Sequence, residues 1–397
     1  MRGIVVAAWL ALAVAMCPGG LRGQQLPSWL RGYYLNFATG QAEGSVTSAA
    51  VSDVQRLRFM AEHTVGVVWF DIAYEHVLSL TSDPSAGSVL GVLVSPIEGD
   101  WLNLDWTLED SEHVHWVHRL DRINIKAALG EVVEISAGRQ PISWATTLVL
   151  TPADPFTPFN PSDPFREFRG GVDALRVQAF LGPFSGADVV LRPANGPDET
   201  TTITAAGRAY GSWRGWDLQG WSGVVHDRFA ASAGLTRTVA GAAVRSEAVF
   251  RDEPTGAVWR VAVGIDRRFG VVGRDLVLVI EYQHDDFGAT DASEIVTVAQ
   301  SPAGQRGELQ VIGRDAAVVQ ASYRISALMG VDLFTLWNLR DPSTLFGVAG
   351  SYSLSDELGL RVGTYWGVGQ GFDVMTGPGS EFGLLPFVGY VSLTGFF

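Results

Sequence analysis

Phe387-Val388-Gly389-Tyr390-Val391-Ser392-Leu393-Thr394-Gly395-Phe396-Phe397 is the stretch on which the fold turns. Phe387, Gly389, Val391, Leu393, Gly395 and Phe397 share one parity, and residues of one parity share one face of a strand. One face of the segment is therefore free of polar side chains from end to end, and the segment finishes on an aromatic pair. Whether that face meets a protein core or lipid depends on the rest of the chain.

The same period of two recurs through most of the 397 residues. In 258–268, Trp259, Val261, Val263 and Ile265 alternate with Arg260, Ala262, Gly264 and Asp266. Leu276, Leu278, Ile280 and Tyr282 alternate with Val277, Val279, Glu281 and Gln283, and Ala317, Val319, Ala321, Tyr323 and Ile325 oppose Gln320, Ser322, Arg324 and Ser326. Earlier, Ile123, Ile125, Ala127 and Leu129 oppose Arg122, Asn124, Lys126 and Ala128, while Leu102, Leu104, Trp106 and Leu108 oppose Asn103, Asp105, Thr107 and Glu109. Outside the first residues of the chain no apolar run reaches the ~18 to 20 residues of a transmembrane helix. A chain that is 47% hydrophobic yet carries 46 Gly suits short strands and tight turns.

Alternation alone fits a soluble sandwich as well as a membrane barrel. Three features favour the barrel. Charges, Gly and Ala crowd the polar faces, which suits a water-filled lumen. Trp69, Tyr74, Trp106, Trp259, Tyr282, Tyr323, Trp337, Tyr352 and Trp366 recur near strand ends or outer faces, as two interfacial girdles require. Segments of roughly ten residues follow one another without intervening helices, the length a tilted strand needs to cross a bilayer. The expected fold is all-β: a transmembrane antiparallel up-and-down β-barrel, ending in a strand that resembles the last strand of bacterial outer-membrane barrels.

Connections support that topology. Stretches 369–383, 285–315 and 140–170 are long or polar, and tight turns are expected near Ser355-Asp356-Glu357, Met329-Gly330, Phe269-Gly270 and Gly182-Pro183. Short periplasmic turns and longer outer loops are the bacterial arrangement. Nineteen candidate strands run from 30–38 to 385–397, including 54–62, 67–77, 101–109, 119–129, 131–139 and 171–181. Bacterial single-chain barrels use an even number. One candidate before residue 119 is therefore surplus; about eighteen strands are expected, with sixteen as the fallback, a size that leaves an aqueous channel.

At the other end, Arg2 precedes an apolar run from Ile4 to Cys17, followed by Pro18, Gly19, Gly20 and Gly23. That order is the one found in a secretory signal peptide, with cleavage expected after Gly23 and a single barrel domain over 24–397. Its removal takes away Cys17, the only Cys, and two positive charges (Arg2 and Arg22), so the net charge moves from −14 to −16. Lys126 is the single Lys and no basic patch forms, which excludes nucleic acid as a partner class.

One stretch lies between strands: Gly138-Arg139-Gln140-Pro141-Ile142-Ser143-Trp144, then a segment punctuated by Pro152, Pro155, Pro158, Pro161 and Pro164, then Arg169-Gly170-Gly171-Val172-Asp173-Ala174-Leu175-Arg176. Over 131–193 it resembles porin-like outer-membrane families related to alginate-export barrels. There a strand ending in Gly-Arg-Gln leads to a Trp-Gly loop, a Pro-Asp-rich segment and an Arg-x-Gly-x-Asp strand. Ala145 stands where that pattern has Gly. The resemblance implies a passive channel and does not carry over a solute, alginate included.

Proline withholds backbone donors and favours extended conformations, so 140–170 cannot extend the sheet. Such a loop narrows the lumen, forms an outer rim or lid, or serves as a spacer. If it constricts, Arg139, Arg166, Arg169 and Arg176 are candidates for a cationic side of the eyelet, opposed by Glu134, Glu167 and Asp173. The plainer reading is that these charges solvate a wet interior or pair with one another.

No His sits in a nucleophile motif, and the chain is not expected to be an enzyme. His113, His115 and His118 have ligand-like spacing, and Asp285, Asp286 and Asp291 lack that of a known calcium loop; no metal or cofactor is assigned. Expected partners are outer-membrane lipid, the barrel-assembly machinery through the strand ending at Phe397 and small hydrophilic solutes; an oligomer is left open, since no strand face shows an interface distinct from the lipid belt. The expected place is the bacterial outer membrane. A polymer-export or surface-assembly barrel is the alternative function, and a barrel enzyme acting on lipid the second. Strand candidates begin too early to leave room for a plug domain.

Overall fold

The computed structural model describes residues 27–84, 100–156, 170–196, 200–375 and 377–397, so the expected signal segment lies outside the described residues. Eighteen strands pair antiparallel, each with the next in the chain, and the last, Val388–Phe396, pairs with the first, Leu30–Gln41, closing the sheet. Closure is what a membrane demands, because an open edge would leave backbone donors and acceptors unpaired in hydrocarbon.

The faces are inside-out relative to a soluble sandwich. On Gly256–Val271, Trp259, Val263 and Ile265 are 44–50% exposed, whereas Arg260 and Ala262 between them are buried. The apolar parity looks outward and the polar parity looks into the lumen. Buried apolar clusters line the inner face, and one of them gathers Ile142, Trp144, Ala153 and Phe156 against Val190, Trp221 and Val249.

The surplus strand is the candidate at 101–109. Asp105–Asp110 pairs only with the outer part of Val114–Leu129, at Arg119 to His115, while the inner part of that strand pairs with Val133–Gln140. It fills the place vacated where Val133–Gln140 ends and does not cross the wall. Alternation correctly marks it as a strand, but with six residues it is too short to span.

Turns of two to four residues connect strands on one rim, and 42–49, 141–171, 286–314 and 369–387 all open on the other. Two expected turns shift. Strand Gly256–Val271 continues past Phe269-Gly270 to a turn at Val272-Gly273, where both residues have positive φ (51° and 70°). The right-handed twist of hairpins favours that paired left-handed geometry, and Arg214-Gly215 and Ala240-Gly241 repeat it. Met329-Gly330 likewise opens a strand, and its turn precedes it at 325–328.

Candidate functional site

Residues 141–156 have no ladder partners of their own, so their backbone donors need acceptors elsewhere. Two glutamates on the barrel wall accept from six of them. Glu247, on Ala242–Glu253, accepts from the amides of Thr146 (2.6 Å), Thr147 (3.1 Å) and Ala153 (3.0 Å). Glu281, on Arg274–Asp285, accepts from Leu148 (2.7 Å), Val149 (2.9 Å) and Leu150 (2.8 Å). Both wall glutamates are almost fully buried. Charge-assisted bonds of this kind are the strong class, and six amides on two carboxylates fix the path of the segment across the inner face.

Side chains complete the attachment. Gln219 donates to the Trp144 carbonyl at 2.7 Å, Trp221 Nε1 to the Ala153 carbonyl at 3.0 Å, and Arg192 to the Phe156 carbonyl at 2.9 Å. Gln310, from the loop 286–314, donates to the Val149 carbonyl at 2.8 Å, tying the two inward segments together. Trp144 packs edge-on against Phe156, with ring centroids 4.8 Å apart, and the Arg208 guanidinium lies 5.3 Å from its ring centroid.

Charges flank this segment in two groups. Towards the short-turn rim, Asp188 pairs with Arg176 (2.9 Å) and Arg208 (2.6 Å), and Arg245 with Asp266 (2.7 Å). Towards the long-loop rim, Arg192, Arg251, Arg260 and Arg306 surround a small void lined by Pro152 and Phe156, with Glu308 among them. Glu308 bonds Arg251 at 2.5 Å and Arg306 at 2.6 Å. Burial alone would raise its carboxyl, but the Arg251 and Arg306 guanidiniums outweigh that and hold it at about 2. His226, in the adjoining turn, is pushed down to about 4 by burial.

The residues singled out from sequence do not form one ring. Arg139 is enclosed: it bonds Asp173 (3.0 and 2.9 Å), Asp100 (2.8 Å) and the Leu102 carbonyl (2.6 Å). Asp173 also accepts from the amides of Trp101 (3.0 Å) and Leu102 (2.8 Å). Together they staple the end of Val133–Gln140 to the segment that replaces it. The backbone there needs Gly138, whose φ of 116° and 2.2 Å approach of a notional Cβ to the Ile123 carbonyl leave no room for a side chain. Glu134 pairs with Lys126 at 3.3 Å, and Arg176 belongs to the Asp188 group. Arg166, Glu167 and Arg169 lie outside the described residues.

Glu247, Glu281 and Asp188 were not singled out from sequence. Their signal was a carboxylate at an inward position in mid-strand, as expensive to bury alone as any residue in the wall. The three histidines separate as well. His113 bonds the Thr81 carbonyl (3.0 Å) and His115 bonds Asp110 (3.1 Å), whereas His118 meets His76 edge to face, with ring centroids 4.6 Å apart. Of the loop aspartates, Asp285 pairs with Arg260 at 2.8 Å and Asp291 caps the Ser293 amide at 2.8 Å.

Together these residues build a closed eighteen-strand antiparallel barrel with an inward-packed connection. Among solved structures the chain is similar to a BenF-like porin from Pseudomonas fluorescens Pf-5, at 11% identity and a TM-score of 0.56, covering 93% of this chain and 98% of that one. It is similar to OpdK of Pseudomonas aeruginosa, solved with vanillate, at 12% identity and a TM-score of 0.55, over 93% and 98%. It is similar too to Escherichia coli Wzi, a carbohydrate-binding barrel involved in group 1 capsule assembly, at 9% identity and a TM-score of 0.56, over 92% and 84%. At such identities the likeness is one of fold. No family model matches the chain, and no curated protein matches it by sequence.

Proposed function

We propose that this barrel is a porin-like channel of the bacterial outer membrane through which small hydrophilic solutes diffuse passively. The observation that carries the reading is the clamp of Glu247 and Glu281 on residues 146–153, because it holds a constriction against the wall at fixed geometry. A closed barrel of eighteen strands is wide enough for water, and an inward segment turns that width into a sieve. Charge pairs at Arg176, Arg208 and Asp188 beside the segment offer a polar path. Arg139 and Asp173 serve the wall in this reading, and Arg166, Arg169 and Glu167 remain candidates for the eyelet itself.

Purified protein in planar bilayers tests it. Discrete, voltage-independent conductance steps are expected, with a reversal potential in a salt gradient that shifts on Arg169→Glu. A silent bilayer would overturn the channel and favour a surface-assembly barrel. Lipid hydrolysis by the same preparation would favour an enzyme.

A further inference from the structure

The outward parity of Gly256–Val271 is apolar from Trp259 to Ile265 and then meets a cation, Arg267, with Phe269 and Val271 still to come before the turn. Cross-strand partners share a face, so Arg274, paired with Val271, looks outward as well. On Trp216–Val225 the Trp221 indole reaches inward to the Ala153 carbonyl, which turns Trp216 and Leu218 outward. Arg237 is the partner of Trp216 and therefore shares its face, with exposed Val239 between it and the turn. Arg214, in the turn between Thr201–Trp213 and Trp216–Val225, completes the set. The four arginines form a strip along the short-turn rim, roughly 20 Å long at the spacing of neighbouring strands. Elsewhere on this rim exposed apolar residues such as Val65, Phe70 and Leu129 take its place.

Three of these cations lie over aromatic rings. The guanidinium of Arg214 is 4.7 Å from the Trp213 ring centroid, that of Arg237 is 4.9 Å from Trp216, and that of Arg267 is 5.0 Å from Phe269. Phe269 stands two residues nearer the turn than Arg267, so the Arg267 side chain leans out of the hydrocarbon towards the headgroups. A ring attracts a cation but does not neutralise it. Among the described residues no carboxylate pairs with any of the four. The acids beside them in sequence, Asp217, Asp266 and Asp275, have the inward parity and bond Ser212, Arg245 and Arg268. An outward guanidinium at the edge of the hydrocarbon is expensive without an anion, and here the protein supplies none.

We infer that this strip binds the phosphates of anionic glycerophospholipids in the leaflet at the short-turn rim. A guanidinium fork matches the paired oxygens of a phosphodiester, and the rings beside it lie where an interfacial belt meets headgroups. Charge selects among phospholipids. A zwitterionic headgroup brings its own ammonium to its phosphate, whereas an anionic one leaves that charge to the arginines. Short turns face the periplasm in bacterial barrels, so the leaflet concerned is the periplasmic one. The inference rests on the barrel lying in an outer membrane and is independent of conduction: a barrel that passes no solute keeps the same strip.

Native mass spectrometry of the folded barrel tests it, in detergent containing equal amounts of phosphatidylglycerol and phosphatidylethanolamine with the same acyl chains. The wild type is expected to retain phosphatidylglycerol over phosphatidylethanolamine by about five-fold or more, the size of one basic residue's attraction at an anionic surface. Arg237→Gln, Arg267→Gln and Arg274→Gln combined should bring the two lipids to parity. Arg268→Gln, inward at the same rim, should keep the wild-type preference. Heat-modifiable migration reports closure of each variant, and if the combined variant does not close, Arg274→Gln alone, at a strand end, is expected to lower the preference. Equal retention of both lipids by the wild type, or an unchanged preference in every closed variant of the strip, would overturn the inference.

Discussion

At the scale of single residues, Glu281 shows how much one inward side chain holds. It is the acceptor for three consecutive amides, at Leu148, Val149 and Leu150. Glu281→Ala leaves those donors unpaired in a buried place, a cost of about 1–3 kcal/mol for each group that finds no water. The wall strand keeps its ladder, so the expected outcome is a folded barrel whose segment 146–153 comes loose, seen as larger and noisier single-channel conductance. Glu281→Gln retains one acceptor oxygen and is expected to fall between. An unchanged conductance in both variants would detach the segment from the pore. This contact was not legible in the sequence for a physical reason. Glu281 stands 131 to 133 positions from its partners, and only closure of the sheet brings them together. Parity announced an inward carboxylate but not which donor it meets.

Elements were more legible, because a strand is specified by its own residues. Every one of the nineteen candidates corresponds to a strand, and the surplus one expected before residue 119 is 101–109, which is not a stave. Alternation reports a face and not a neighbour, so it cannot tell a spanning strand from a six-residue patch beside one. Turn placement failed at Val272 for a related reason: a β-branched residue is a poor choice at a φ of 51°. Asn suits that position, and Val272→Asn is expected to stabilise the hairpin by on the order of 1 kcal/mol, measured as a later urea midpoint for unfolding from vesicles. A second element-scale prediction concerns the long loops. Glu381, in 369–387, accepts from the amides of Ile312 (2.9 Å) and Gly313 (3.2 Å) and from Asn338 (2.8 Å). Burial pushes its carboxyl up to about 7, against the lowering effect of those amide bonds. Because the folded value lies above the unfolded one, the docked state prefers the proton. Its contribution is full below about pH 4.5, near the unfolded carboxyl, and is lost as pH rises through 7. Limited proteolysis of the 369–387 loop is expected to be slower at pH 5 than at pH 8. Glu381→Gln should flatten that difference, and an equally steep profile in the variant would assign it to another group.

For the whole molecule, the decisive event is closure of first strand on last, and it converges on Phe397. Its amide donates to the Gly32 carbonyl at 3.0 Å, its carbonyl accepts from Gly32 at 2.8 Å, and its ring meets Phe59 at 5.7 Å between centroids. Gly32 is a glycine because a Cβ there would sit 2.5 Å from that ring and 2.5 Å from the Arg58 carbonyl. Ring and glycine thus form one lock at the seam, at the rim of short turns. Removing Phe397 costs two ladder bonds and an outward aromatic where the barrel must shut, while every other hairpin is untouched. Deletion of Phe397 is therefore expected to reduce the fraction of chains that become heat-modifiable and urea-resistant in membranes, with little change in the barrels that do close. Phe397→Tyr should restore closure. Gly32→Leu, at the other half of the lock, should reproduce the deletion despite leaving the terminal residue in place. If Gly32→Leu closes normally while the deletion fails, the aromatic acts through recognition during insertion and not through the seam, and the two roles of the last residue are separated.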